Sequence, residues 1–173
     1  IKYLTNESET LKIKVIICDI AINDFVKKQL KANICEFVKI DICDVNLRRK
    51  LISESNLVIS MLPPSFHIDI AKDCINYKVN LITASYVSDE MNSLDEFAKK
   101  ANIIILNEVG LDPGIDHISA MDMINKLKDK NAVIKSFKSH CGGLIAPESD
   151  NNPWNYKFTW NPRNVVVAGQ GGV

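Results

Sequence analysis

The chain has 173 residues, 46% hydrophobic and 24% charged, and its 21 basic and 21 acidic side chains balance to a formal net charge of zero. That length holds one domain, or one domain and part of a second, with enough apolar residues for a core. No basic stripe offers nucleic acid an electrostatic footprint, and no apolar run approaches the roughly 20 residues a membrane-spanning helix needs. No signal-peptide pattern is read. Cys18, Cys35, Cys43, Cys74 and Cys141 are scattered without CxxC spacing. An odd, dispersed set predicts free thiols and a reducing cytoplasm.

Ile1–Leu4 reads as the last turns of a helix, and the run Gly169–Val173 stops in mid-pattern, so the expectation is an internal piece of a longer protein. Leu11–Cys18 is a near-continuous apolar run closed by Asp19, the pattern of a parallel strand buried on both faces. A helix is predicted over Asn23–Lys31. A second strand, Cys35–Ile40, ends at Asp41, and a polar helix spans Asp44–Glu54. A third strand, Asn56–Met61, is stopped by Pro63-Pro64 and followed by a helix over Phe66–Tyr77. A fourth strand, Asn80–Thr83, precedes a helix over Ser88–Lys100, and a fifth strand spans Asn102–Leu106. Strict alternation predicts an α/β fold, a doubly wound parallel sheet with helices on both faces.

After Asn107 the texture changes. Pro113–Asp129 reads as a long helix, Val133–His140 as a strand and Gly142–Asn152 as a polar loop. Trp154, Tyr156, Phe158 and Trp160 alternate, which predicts one face of a strand. The boundaries expected are a partial dinucleotide-binding domain over 1–112 and the beginning of a second, α+β domain over 113–173.

Most residues with chemistry sit at predicted strand ends, where ligands bind in open α/β sheets. An acid such as Asp19 at such an end takes ribose hydroxyls and favours NAD over NADP, or is simply solvated. Asp41 could border an adenine in the same way. Met61-Leu62-Pro63 terminates a strand and could wall a nicotinamide ring. His67, alone near a helix start, reads as structural. Ser85 and Tyr86 could bind a substrate carboxylate or amine, or serve packing. Asp112 before Pro113 is a well-formed helix cap, and helix N-termini also take anions. Gly110 and Gly114 leave the backbone open to close approach. His117 could be a base or a satisfied polar contact. A metal site from Asp116, His117, His140 and Cys141 lacks ligand spacing, so no metal is expected.

The phrases Ile59–His67 (ISMLPPSFH), Thr83–Met91 (TASYVSDEM), Asn107–His117 (NEVGLDPGIDH) and Cys141–Arg163 (CGGLIAPESDNNPWNYKFTWNPR) closely resemble the glutamate-forming saccharopine dehydrogenase family. The resemblance runs over nearly the whole chain from about Val15. It implies a Rossmann-like domain binding NAD or NADP, whose first strand and Gly-rich turn are absent here, followed by a saccharopine-binding α+β domain. The implied reaction interconverts saccharopine, water and NAD(P)⁺ with L-glutamate, 2-aminoadipate 6-semialdehyde and NAD(P)H.

Ser85, Tyr86 and Asp112 fall on implied substrate contacts, and Tyr86, Asp112 and Cys141 on implied catalytic positions. Asp19, Asp41, Ile42, Met61, Leu62, Pro63, Gly110, Leu111 and Asn161 fall on the implied cofactor edge. The resemblance implies a small-molecule substrate and lysine metabolism, and a homodimer is possible. The family's later substrate-carboxylate arginine is also absent, so these 173 residues alone are expected to turn over little or nothing. Two other readings stay open: a related imine-reducing dehydrogenase, such as one forming carboxynorspermidine, and a non-catalytic dinucleotide-binding domain.

Overall fold

A computed structural model of the chain describes residues 1–21, 24, 28 and 35–157. Contacts divide the chain into two compact units, Ile1–Pro113 and Gly114–Val173.

The first unit opens with two short helices, α1 (Lys2–Asn6) and α2 (Ser8–Leu11), and continues into β1 (Val15–Asp19). The first strand therefore begins later than its apolar run. Leu11 closes α2, and Lys12 takes the left-handed conformation with its N–H on the Ser8 carbonyl, which ends a helix rather than starting a strand. Asp24 and Lys28 are helical. The rest of the helix expected over Asn23–Lys31 lies outside the described residues. Then come β2 (Cys35–Lys39), α3 (Val45–Ser53), β3 (Leu57–Ser60), α4 (Pro64–Tyr77) and β4 (Asn80–Thr83), followed by α5 (Asp89–Asn92), α6 (Asp95–Ala101) and β5 (Ile105–Leu106).

Local chemistry sets most of these boundaries. Asp44 caps α3 by accepting the Leu47 N–H at 3.0 Å, and Ser88 caps α5 by accepting that of Met91 at 3.1 Å. Pro64 occupies the first turn of α4, where no backbone donor is missed. The single helix expected over Ser88–Lys100 is two. Ser93 Oγ returns to the Glu90 carbonyl at 2.6 Å, a side-chain bond that competes with the ladder, and α6 restarts from Leu94.

All strand pairs are parallel, as alternation requires, but they form two sheets. β1 pairs β2 with Val15 opposite Cys35, and β4 lies between β3 and β5 with Leu81 opposite both Val58 and Ile105. This is the order of the two flanks of a doubly wound 3-2-1-4-5-6 sheet. Among the described residues no strand fills the central place.

The core lies where α4 and its neighbours cover the β3–β5 sheet. Ile70, Ala71 and Cys74 of α4 pack with Ile52, Val79, Leu81, Met91 and Leu94. Burial, helped by the adjacent Asp73 charge, pushes the Cys74 thiol up to about 12. The buried Asp73 carboxylate binds Arg48 Nε at 2.8 Å and Arg49 Nε at 2.9 Å, which ties α3 to α4.

In the second unit α7 (Ile115–Lys128) is followed by a 3₁₀ turn at Pro147–Ser149. Three expectations are corrected here. The helix starts at Ile115 from Gly114, not from Asp112-Pro113. Gly114 has φ 144°, and its N–H is taken at 2.9 Å by Asp116, so a side chain inside the first turn caps the entry. The run Val133–His140 is not a strand; it is exposed, and among the described residues no strand pairs with it. Trp154 and Tyr156 do not alternate along a strand. Asn152 accepts the Trp154 N–H at 3.1 Å and donates to the Tyr156 carbonyl at 2.9 Å, closing a turn in place of a ladder. Phe158 and Trp160 lie outside the described residues. Among the described residues no helix is long and apolar enough to cross a membrane.

Candidate active site

Parallel pairing puts the strands' carboxyl ends on one edge of each sheet. At the end of β4 the chain runs through Ala84, Ser85 and Tyr86, the last two half-buried. The Asn107–Pro113 turn is bonded onto this segment. Val109 donates to the Thr83 carbonyl at 3.3 Å and Glu108 to the Ser85 carbonyl at 3.1 Å, while Glu108 Oε1 accepts the Val87 N–H at 3.1 Å. The turn closes on itself through Gly110 N–H to the Pro113 carbonyl at 2.8 Å. A side chain at Gly110 would meet Ala84 Cβ at 3.0 Å and the Pro113 carbonyl at 3.3 Å, so one there would have to push its neighbours by a few tenths of an ångström. Ser85, Tyr86 and Gly110 are thereby fixed in one neighbourhood. Leu111 and Asp112 stand exposed on the same turn. Asp112 does not cap the helix, so that structural duty is removed from it.

Behind Ser85 lies a polar cluster. His67, buried in the first turns of α4, has Nδ1 2.9 Å from Ser60 Oγ and Nε2 2.8 Å from Ser85 Oγ. Thr83 Oγ1 is 3.2 Å from the same Nε2 and accepts the Ser85 N–H at 3.3 Å. Burial holds the His67 imidazole below its ordinary pKa, so the ring is neutral near pH 7. At the end of β3, Met61 is 80% exposed and is followed by the half-buried Leu62 and exposed Pro63.

The β1–β2 sheet presents Asp19 and the Asp41-Ile42 pair at its carboxyl edge. Asp19 Oδ1 accepts the Ala21 N–H at 3.0 Å, and Asp41 Oδ1 that of Cys43 at 2.9 Å. The Ile42 carbonyl accepts Arg48 Nη1 at 3.0 Å, so the buried Arg48–Asp73 pair also pins this turn. The Asp41 charge is the first cause raising the Cys43 thiol. A cavity of about 350 Å³ lies elsewhere, over α3, α4 and α6, lined by Arg48, Arg49, Asp73 and Phe97. Its lining comes from the helices.

Cys141 lies exposed in the second unit, outside regular structure. Asp116 and His117 share a 2.8 Å bond at the start of α7, which holds the Asp116 carboxyl below its usual range. Asn161 lies outside the described residues.

Two family profiles divide the chain between them. Saccharopine dehydrogenase NADP binding domain matches residues 1–106, and saccharopine dehydrogenase C-terminal domain matches residues 110–173. The chain belongs to the saccharopine dehydrogenase family. An α-aminoadipic semialdehyde synthase of Arabidopsis thaliana is 44% identical over 95% of this chain and 16% of its own length. The saccharopine dehydrogenase [NADP(+), L-glutamate-forming] of Pyricularia oryzae is 44% identical over 76% of this chain and 29% of its own. The solved apo saccharopine dehydrogenase (L-Glu forming) of Saccharomyces cerevisiae superposes with TM-score 0.71 at 33% identity, over 96% of this chain and 38% of that one. The chain thus spans well under half the length of these relatives.

Sequence reasoning set His67 aside and did not single out Ser60, Thr83 or Glu108. One signal was available for the first three. Two apolar strand runs, NLVIS and NLIT, each close on a hydroxyl residue, and a histidine opens the intervening helix. Polar groups in such places need partners, and the nearest are one another.

Proposed function

We propose that the protein is a saccharopine dehydrogenase of the glutamate-forming type, an oxidoreductase acting on a CH–NH donor. It interconverts saccharopine, water and NAD(P)⁺ with L-glutamate, 2-aminoadipate 6-semialdehyde and NAD(P)H. The observation that carries this reading is the Asn107–Pro113 turn bonded onto the Ser85-Tyr86 segment at a strand's carboxyl end. In this reading residues 1–112 are the cofactor domain and 113–173 the beginning of the saccharopine domain.

The described residues fit a dinucleotide. Met61, exposed at the end of β3 beside Leu62 and Pro63, offers an apolar wall for a flat ring, and Gly110 and Leu111 continue that edge. Asp19 suits ribose hydroxyls, and Asp41 and Ile42 border an adenine. Asn161, the remaining cofactor position in this reading, lies outside the described residues. When bound, the nicotinamide supplies hydride acceptance and donation. Asp19 argues for NAD, while the fungal relatives are named for NADP(+). The assay compares the two directly.

Ser85, Tyr86 and Asp112 hold and orient the substrate, and Cys141 is the second domain's candidate catalytic residue. Water and substrate groups carry part of the proton traffic. The odd, dispersed set of five cysteines fits a reducing compartment, the cytoplasm. The rat relative is named mitochondrial, so cell fractionation separates the two. Light scattering on the same preparation tests for a homodimer.

The test is saccharopine-dependent reduction of NAD⁺ and of NADP⁺ by the protein at its full encoded length. Reduction requiring saccharopine supports the reading, and reduction with neither cofactor sinks it. Asp112→Ala should lower kcat/KM about tenfold, the scale of one lost hydrogen bond to a charged group. Because Asp112 caps no helix, that loss would report substrate handling; an unchanged kcat/KM would remove Asp112 from the site.

A further inference from the structure

His67 touches three hydroxyls at once, and its neutral ring carries one N–H and one lone pair. The hydrogens can be counted. Nε2 and Ser85 Oγ are 2.8 Å apart, a separation that requires a hydrogen between them. If Ser85 supplied it, Nδ1 would carry the ring proton and donate to Ser60 Oγ. Thr83 could then donate to Nε2 at 3.2 Å, and the buried Ser60 hydroxyl hydrogen would have no acceptor among the described residues. If Nε2 supplies it, the Ser60 hydroxyl donates to Nδ1 and only the Thr83 hydrogen is left over. Each arrangement leaves one buried hydroxyl hydrogen over, and in both the ring holds Ser85 Oγ through Nε2.

We infer that His67 is a positioning residue that holds the half-buried Ser85 hydroxyl in place for the substrate. The inference rests on the reading of Ser85 as a substrate contact. It adds what sets that contact. The link runs between elements: His67 sits on α4, Ser60 ends β3 and Thr83 ends β4. The ring joins the ends of two strands to the residue beyond one of them.

The test is a double-mutant cycle in the full-length protein, with KM for saccharopine, KM for the dinucleotide and kcat measured separately. His67→Phe removes both ring nitrogens, and His67→Gln keeps a donor near the Nε2 position. His67→Phe should raise the saccharopine KM about tenfold and leave the dinucleotide KM unchanged, with His67→Gln recovering most of the loss. In a Ser85→Ala background, His67→Phe should add no further increase, because its effect passes through Ser85. A full additional tenfold there overturns the positioning role while leaving Ser85 as a contact. An unchanged saccharopine KM in Ser85→Ala alone overturns the reading of Ser85 and the inference with it. If His67→Phe does not fold, the shorter His67→Asn takes its place: a saccharopine KM raised about tenfold supports the positioning role, and an unchanged one overturns it.

Discussion

Two runs of β-branched residues in this chain meet opposite fates. Asn102–Leu106 (NIIIL) delivers Ile105 and Leu106 into β5, paired with Leu81 and Ile82. Val133–His140 (VIKSFKSH) has strand-like composition and stays exposed without a ladder. The difference is the neighbour. β4 offers Ile105 an open edge and a fully buried Leu81, whereas no described strand faces Val133. Strand propensity is a preference for a half-buried pleated surface, and without that surface it decides little. The same contrast separates two stretches that carry candidate residues. The Asn107–Pro113 turn is built onto β4, while Cys141 sits in a stretch without regular structure.

The contrast can be broken at several points. Removing the Asp73 carboxylate with Asp73→Ala would leave Arg48 buried without its partner and cost about 3–5 kcal/mol, read by urea denaturation. A loss below about 1 kcal/mol would show the pair to be solvated in solution. Leu81→Ala should cost about 2–5 kcal/mol by opening a cavity under β4. Phe137→Ala, in the unpaired run, should stay within about 0.5 kcal/mol. Equal losses at Leu81 and Phe137 would mean that Val133–His140 is packed after all. Gly110→Val should cost about 1–3 kcal/mol, because its side chain enters the space of Ala84 and the Pro113 carbonyl.

The smallest effect is in pH. Burial lowers the folded-state pKa of His67 below its ordinary 6.5, so below that pH the unfolded chain binds a proton that the folded chain resists. This contribution to stability is complete above pH 6.5 and is lost as pH falls toward the folded pKa. Denaturation midpoints should drop on that acid limb, and His67→Gln should flatten it. A variant with the same limb would assign the drop to other groups.

The sequence made the βα alternation legible because buried parallel strands are near-continuous apolar runs, and NLIT appears as a strand with the expected bounds. It misplaced the start of β1 because Leu11 continues the apolar pattern while belonging to α2. It assigned the helix cap to Asp112 on spacing, where Asp116 takes the Gly114 N–H from inside the first turn. It passed over His67 because one histidine in a helix carries no pattern. The three hydroxyls that give it a role come from two strand ends and lie up to 18 residues away in sequence. Local signals reach across one element, and this cluster joins three.

The central claim is that the Asn107–Pro113 turn is a fixed wall of the site on β4. Amide hydrogen exchange on the full-length protein tests it most directly. The Glu108, Val109 and Gly110 amides, bonded to Ser85, Thr83 and Pro113 carbonyls, should exchange slowly, and those of Val133–His140 at near-unprotected rates. Fast exchange at Glu108–Gly110 would contradict the account, because the turn would then be a mobile loop and not part of a prepared site.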